Sequence, residues 1–193
     1  MQAPEPLTLA RGGVRLEPLS AGHADGLAAA IAADPAAYPF SGPVAGTTTL
    51  EAWLASALAE AEAGTRLPFA VLSEGVVAGS SSYLDIAPSE GRIEIGHTWY
   101  GVPWRGTSLN PTAKLLLLEH AFDVLGAWRV ALKSDARNEV SRRAMAGIGA
   151  TFEGVLRKQT RRADGPGPRD TAMFSIIDDE WPRVRALLER RIA

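Results

Sequence analysis

The stretch from residue 92 to residue 134 constrains the fold more than any other. At its centre is Pro-Thr-Ala-Lys-Leu-Leu-Leu-Leu-Glu-His-Ala-Phe-Asp-Val-Leu, residues 111–125, apolar on nearly every side and followed by Gly126. With Asn110 as N-cap and proline at the favoured first position, this run predicts a helix stopped by the glycine. A helix that is apolar all round is buried within a domain. Strand-like segments flank it, 92–100 before and 128–134 after. Strand, buried helix, strand is the pattern of a single parallel crossover, and ligands favour the crevice beyond the C-terminal ends of such strands.

The rest of the chain adds antiparallel partners. Residues 14–19 alternate like a strand, and Ser20 predicts a helix cap for about 21–33, ended by Pro35. Prolines and glycines over 34–48 read as a loop. Thr49 then caps a helix whose apolar face is Leu50, Trp53, Leu54, Ala57, Leu58 and Ala61, with Gly64 as its stop. Segments 67–73 and 76–86 predict a hairpin turning at Glu74-Gly75. A short helix over 139–148, long strands over 151–162 and 169–177, and a last amphipathic helix over 179–192 complete the order. The fold class is therefore α/β, a mixed sheet with helices on both faces. Residues 1–12, rich in proline at their start, read as a flexible N-terminal arm, and 13–193 as a single domain.

Composition narrows the chemistry. A length of 193 residues suits one domain. With no cysteine, a disulfide scaffold, a thiolate nucleophile and a Cys-ligated zinc are all excluded. The three histidines, His23, His97 and His120, are too scattered to suggest a metal site. A net charge of −2 gives no reason to expect nucleic acid. No apolar run approaches the roughly 18–20 residues of a membrane span, and the start lacks the basic and apolar regions of a signal peptide. A cytoplasmic location is the expectation. Loop 101–110, between a strand and a helix N-terminus, suits a phosphate or pyrophosphate. Gly106 would allow close backbone approach and Arg105 would offer a charge-assisted bond. The loop lacks the spacing of the dinucleotide and GKS/T phosphate fingerprints, so an ordinary strand–helix turn is the competing reading.

Three groups of residues resemble a known family. They are Glu94-Ile95-Gly96-His97-Thr98-Trp99 with Pro103-Trp104-Arg105-Gly106-Thr107 and Ala113–Leu118; then Leu132–Ala144; then Gly149-Ala150-Thr151-Phe152-Glu153-Gly154-Val155-Leu156-Arg157. Together they are similar to the core of GNAT-type acyltransferases. The Gly-Ala-x-x-Glu-Gly segment and the strand Arg169–Ser175 resemble the RimJ/RimL-like branch. The resemblance covers about residues 13–182. It implies a GNAT-like, mostly antiparallel sheet whose strands 92–100 and 128–134 splay apart around acetyl-CoA. It also implies an acetyl transfer to a primary amine, a protein N-terminus or a small molecule, by direct attack on the thioester without a metal. On this resemblance Thr98, Trp99 and Tyr100 pair with the pantetheine arm. Arg105, Gly106, Thr107, Ser108, Leu109 and Asn110 hold the pyrophosphate, and Asn138 and Ser141 the thiol end.

Two departures stand out. Ser108 and Asn110 occupy positions where the family loop carries glycine or alanine. Met145 stands where many members have the tyrosine that protonates the leaving thiolate. Glu94 and His97 are the candidate bases for the amine, although strict alternation puts them on opposite faces unless a bulge near Gly96 intervenes. His23 and His120 read as structural. Tyr38, Phe40, Trp53 and Trp104 are candidates for an acceptor pocket, with Trp53 also fitting a core position. The basic run 157–162 fits a solvated strand whose charges deter edge pairing. A homodimer is a family-based expectation, and no membrane partner is expected. A non-catalytic acyl-CoA-binding module and an RNA-associated interaction protein are the competing functions.

Overall fold

A computed structural model describes every residue except 35, 36, 41, 42, 44, 46 and 47. The chain opens with a small hairpin, β1 (Leu9–Arg11) against β2 (Val14–Pro18). Residues 9–11, expected within a flexible arm, are thus paired in the sheet. Gly12, at φ 56°, makes the turn. The Met1 ammonium donates to the Pro88 carbonyl at 3.0 Å and the Gln2 N–H to Leu125 at 2.7 Å, tying the start of the chain to the body.

The helix expected over 21–33 is a 3-10 turn, Ala21–His23, running into α1 (Ala24–Ala32). It ends before Pro35, which lies outside the described residues, as do Gly42 and Gly46 of the expected loop. α2 (Leu50–Glu62) is capped as its sequence predicts, the Thr49 hydroxyl accepting from the Ala52 N–H at 3.3 Å. β3 (Arg66–Ser73) and β4 (Val76–Ala87) form the expected hairpin. Glu74 at φ 49° and Gly75 at φ 81° give it the two left-handed positions of a type I′ turn.

β5 (Arg92–Tyr100) leads to α3 (Leu109–Glu119). This helix begins earlier than proline placement suggests. Ser108, not Asn110, is the N-cap, because both the N–H and the hydroxyl of Thr112 donate to the Ser108 carbonyl at 2.9 and 2.8 Å. Pro111 is tolerated in the first turn, where an N–H would have no intrahelical partner. The helix ends in a wider π turn, His120–Val124, before Gly126 at φ 69°. β6 (Arg129–Asp135), α4 (Glu139–Gly147), β7 (Thr151–Arg161), β8 (Pro168–Ile177) and α5 (Trp181–Ile192) follow.

The strands form one sheet of order β1-β2-β3-β4-β5-β6-β8-β7. Among the described residues only β5 and β6 are parallel neighbours. On one face α3, α4 and α5 enclose the larger core with Phe69, Tyr83, Ile93, Ile95, Val130 and Ile176. On the other, α1 and α2 enclose a smaller one with Ala70, Leu72 and Trp99. The mixed α/β class and the two covered faces are as the sequence predicts. Among the described residues no helix is long and apolar enough to cross a membrane.

Candidate active site

The parallel pair is short. Arg92, Ile93 and Glu94 pair with Arg129, Val130 and Ala131, and there the ladder stops. β5 continues to Tyr100 and β6 to Asp135 without pairing to each other, so the two strands diverge into a V that opens toward the N-terminus of α3. Backbone groups on the inner edges of a V are left for another partner, because an unpaired buried amide or carbonyl is costly.

A bulge shapes the β5 wall of the V. Across β4 the register jumps from Ser80–Trp99 to Ser82–Gly96, so Ser81 faces an extra residue, and His97 takes φ 47°. The bulge expected near Gly96 is therefore present, and strict alternation no longer separates Glu94 from His97. The Glu94 carboxylate folds toward Gly96, where an added Cβ would lie 3.0 Å from Oε1. Glu94 is buried and ion-paired with Lys133 of β6 at 2.6 Å, so this carboxylate bridges the closed end of the V.

Part of the His97 residue reaches solvent, but the surrounding protein crowds its imidazole, which is pushed down to about 4. Loss of water around the ring is the first cause. The positive charges of Arg66 and Arg169 act the same way, against Glu60. At neutral pH the ring is uncharged, and the same shift makes it a weaker base than an ordinary imidazole. Arg66 itself is buried. Its Nε donates to the Ser82 hydroxyl at 2.9 Å, its guanidinium lies 5.5 Å over Trp53, and its Nη2 has no partner among the described residues.

The remaining β5 residues divide by face. The Thr98 hydroxyl is 2.8 Å from that of Ser81 and accepts from Lys114 Nζ at 2.6 Å. Trp99 packs edge-on against Tyr38 and Trp53, at 5.8 Å each, in the smaller core. Two of the expected acceptor-pocket residues are thus core packing. The Tyr100 carbonyl already accepts from the Tyr38 hydroxyl at 3.2 Å and Arg105 Nε at 3.0 Å.

Arg105 turns away from the loop it was expected to serve. Its guanidinium stacks 4.7 Å over Tyr38 and also donates to the Ala37 carbonyl. Within the loop, Gly106 sits at φ 75° with nothing within 4 Å of where a Cβ would be, so the space beside this backbone is open. Ser108 lies at φ −69°, so its place in a position usually held by glycine carries no backbone strain. The Thr107 hydroxyl donates to the Trp104 carbonyl and accepts from the Leu109 N–H at 3.2 Å. With Leu109 satisfied and Pro111 lacking an N–H, Ser108 and Asn110 offer the amides at this helix end that have no intrahelical partner. Open space beside Gly106, two amides without an intrahelical partner and a positive helix end fit a pyrophosphate. The unpaired edge of β5 fits an extended chain bearing amides, such as pantetheine.

On the far wall, α4 starts beside the end of β6. Asn138 is its N-cap, its Oδ1 accepting from the Ser141 N–H at 3.0 Å. This occupies the Asn138 carbonyl and leaves its amide donors and the Ser141 hydroxyl for a ligand. Met145, in the following turn, is buried and has no proton to give. The neighbouring Arg137 joins three elements. It is bidentate to Asp135, reaches Asp164 in the β7–β8 turn at 3.0 Å and lies 4.9 Å over Phe40. The two loops expected to border an acceptor pocket thus meet on one guanidinium. A shallow hollow of about 800 Å3 lies at the β7–β8 turn, lined by Lys158, Arg161, Arg162 and their neighbours and by none of the β5 or α3 residues above.

Sequence patterning did not single out Lys114, Lys133 or Arg66. For Lys114 a signal was available: it is one of only three lysines in the chain, and it interrupts the apolar run that opens at Pro111. Lys133 and Arg66 lie among ordinary strand residues and interrupt no such run.

No curated protein matches the sequence. Among solved structures, a GCN5-related N-acetyltransferase from Brucella melitensis is 34% identical with a TM-score of 0.87, over 99% of this chain and 87% of that one. A chain from T. thermophilus is 38% identical with a TM-score of 0.87, over 98% and 99% of the two chains. Mycobacterium smegmatis RimJ, solved in complex with CoA-disulfide, shares the fold at 23% identity and a TM-score of 0.81, over 98% and 97%. The family profile of the acetyltransferase (GNAT) domain matches residues 14–151, and this chain belongs to the GNAT acetyltransferase family.

Proposed function

We propose that the protein is an acetyl-CoA-dependent N-acetyltransferase of the RimJ/RimL type whose acceptor is a primary amine, on a protein N-terminus or a small molecule. The observation that carries this reading is the V itself, whose β5–β6 ladder stops after Glu94 with Asn138 and Ser141 on the opposite wall. In this reading the Ser108 and Asn110 amides and the open backbone at Gly106 hold the pyrophosphate, and the β5 edge beyond the bulge holds the pantetheine arm. Arg105 contributes by fixing the Tyr100 carbonyl and Tyr38 rather than by touching phosphate.

Acetyl-CoA supplies the acyl group as a thioester. The neutral amine bonds to the acyl carbon as the carbon–sulfur bond breaks, so no enzyme nucleophile is needed. His97, uncharged at neutral pH, takes the amine proton, directly or through water. Glu94 shares its charge with Lys133 and acts with His97 as the second candidate base. The Asn138 amide and the Ser141 hydroxyl hold the departing sulfur. Met145 gives no proton, and a thiol of pKa about 8.5 leaves without strong acid help. A RimJ/RimL-type acetyltransferase of this kind acts in the cytoplasm, alone or as a homodimer, without nucleic acid or a metal.

Thermal unfolding with acetyl-CoA and with CoA tests the cofactor half. At 100 times Kd a ligand of the folded state adds about 2.7 kcal/mol, and each kcal/mol raises Tm by roughly 2–4 °C at this chain length. An unshifted Tm at millimolar acetyl-CoA sinks the reading. With the shift in hand, CoA release across a panel of primary amines tests transfer. A silent panel despite tight cofactor binding favours the acyl-CoA-binding module, for which Met145 is the motivating observation.

A further inference from the structure

Lys114 stands on the buried face of α3, where every residue from Pro111 to Leu118 is buried. Its Nζ donates to the Thr98 hydroxyl at 2.6 Å and to the Ser81 hydroxyl at 3.4 Å, and those hydroxyls lie 2.8 Å apart. Among the described residues Lys114 has no ion-pair partner. A buried cation without a counter-charge is costly, and burial alone pushes its ammonium down to about 7. The two hydroxyls also bond each other, so neither needs the lysine. For stability alone an apolar side chain such as methionine would serve better at this position.

What the lysine does join is the bulge. Ser81 is the β4 residue that faces the extra β5 residue, Thr98 is the residue just after it, and His97 between them is held in left-handed backbone. Left-handed backbone at a residue with a side chain persists only where the surroundings over-determine it. β6 has already parted from β5 here, so a ladder on that side supplies no support. The Lys114 ammonium ties α3, β4 and β5 at one point, next to the strand edge that is open on the V side.

We propose that Lys114 is a positioning residue, which holds the β5 bulge from behind and thereby sets the backbone of Thr98–Tyr100 in the orientation that receives acetyl-CoA. The inference rests on the acetyl-CoA reading above. It does not require Lys114 to touch the cofactor.

The test is Lys114→Met, with Thr98→Val and Thr98→Ser as companions. Thermal unfolding and the Kd for acetyl-CoA, by calorimetric titration, are read for each. Lys114→Met is expected to melt no lower than the wild type and to bind acetyl-CoA about tenfold more weakly, as small misplacements of a binding group do. Thr98→Val, which keeps the lysine and removes its main acceptor, shows the same loss, and Thr98→Ser restores affinity. A merely structural lysine gives the opposite signature, a fall in Tm with affinity lost in step, and that result overturns the proposal. So does a Lys114→Met protein that binds acetyl-CoA like the wild type. Should Lys114→Met fail to fold, the Thr98 pair decides: equal affinity in Val and Ser variants overturns the idea. A wild type that does not bind acetyl-CoA is a different failure, which removes the functional reading itself.

Discussion

Arg92–Glu94 and Trp99–Tyr100 lie on the same strand, yet the first segment is laddered to a strand on either side and the second to β4 alone. The difference shows two ways of fixing a backbone. In the first half, hydrogen bonds to β4 and β6 and the Glu94–Lys133 ion pair hold the strand. In the second half one ladder is missing, and side chains stand in for it. Lys114 grips Thr98 from behind, while Tyr38 and Arg105 both donate to the Tyr100 carbonyl. The open half keeps a free edge for a ligand without losing its shape, and the closed half keeps the V from opening further.

The largest effect that would break this comparison lies across the V. If the open edge works with the α4 wall, Asn138→Ala with Ser141→Ala lowers single-turnover rate about hundredfold, the scale of losing preorganised donors. Asn138 also caps α4, so the double variant loses about 1 kcal/mol of stability. The fold survives that loss. Unchanged single-turnover rates in a folded double variant would remove both residues from the mechanism.

Next in size is a pair of glycines, one for each half of β5. Gly79 pairs with Tyr100, and a Cβ there would sit 2.1 Å from the Trp99 carbonyl oxygen, which is backbone and cannot swing away. Gly79→Ala should cost about 3 kcal/mol, a Tm fall of roughly 6–12 °C, and weaken acetyl-CoA binding as the open half is pushed out. Gly91 stands at the closed end, at φ 61°, where the atoms nearest to an added Cβ belong to the Trp128 ring, and that side chain is exposed enough to move. Gly91→Ala should cost about 1–2 kcal/mol from left-handed backbone and leave cofactor affinity as it was. Equal affinity losses in the two variants would mean that the halves are not independent.

Much of this architecture was legible in the sequence because its signals are local. The Thr49 cap, the Glu74-Gly75 turn, the apolar run of α3 and the strand alternation each depend on a few neighbouring residues, and each element appears where its signal lies. Errors gather where the deciding partner leaves no mark in the local pattern. Leu9–Arg11 is a strand only because β2 is there to pair with it, and α3 starts at Leu109 because Thr112 turns back to the Ser108 carbonyl. The site was half legible for the same reason. Motif spacing marks Asn138 and Ser141, which do meet, and the loop at Gly106, which is open. It does not mark the engagement of Arg105 with Tyr38, the capture of Glu94 by Lys133, or the bond from Lys114 to Thr98. Each of those joins residues from different elements, and strand alternation carries no information about which neighbour a charged side chain will find.

The smallest effect sharpens the comparison by separating its two lysines. Lys133 has an acid at 2.6 Å, whereas among the described residues Lys114 has only hydroxyls. The Lys114 ammonium is lowered from 10.5 to about 7 in the folded chain. Between those values the unfolded chain binds more protons than the folded one, so stability rises with pH through this window. Below about pH 7 the full cost of the buried charge is present; above it the folded protein sheds the proton and the cost fades. Lys114→Met has no such group, so its stability advantage over the wild type should be greatest near neutral pH and shrink by about 1–2 kcal/mol toward pH 8.5. Urea midpoints of the two proteins at both pH values measure it. His97 does not blur the result, because its lowered value of about 4 places its own contribution in the acid range, where stability falls as pH drops from about 6.5. A constant gap between wild type and Lys114→Met would mean that Lys114 keeps its proton when buried, and that an acid reaches it in solution. The open half of β5 would then be held by an ion pair like the closed half, and the contrast between them would be one of strand pairing alone.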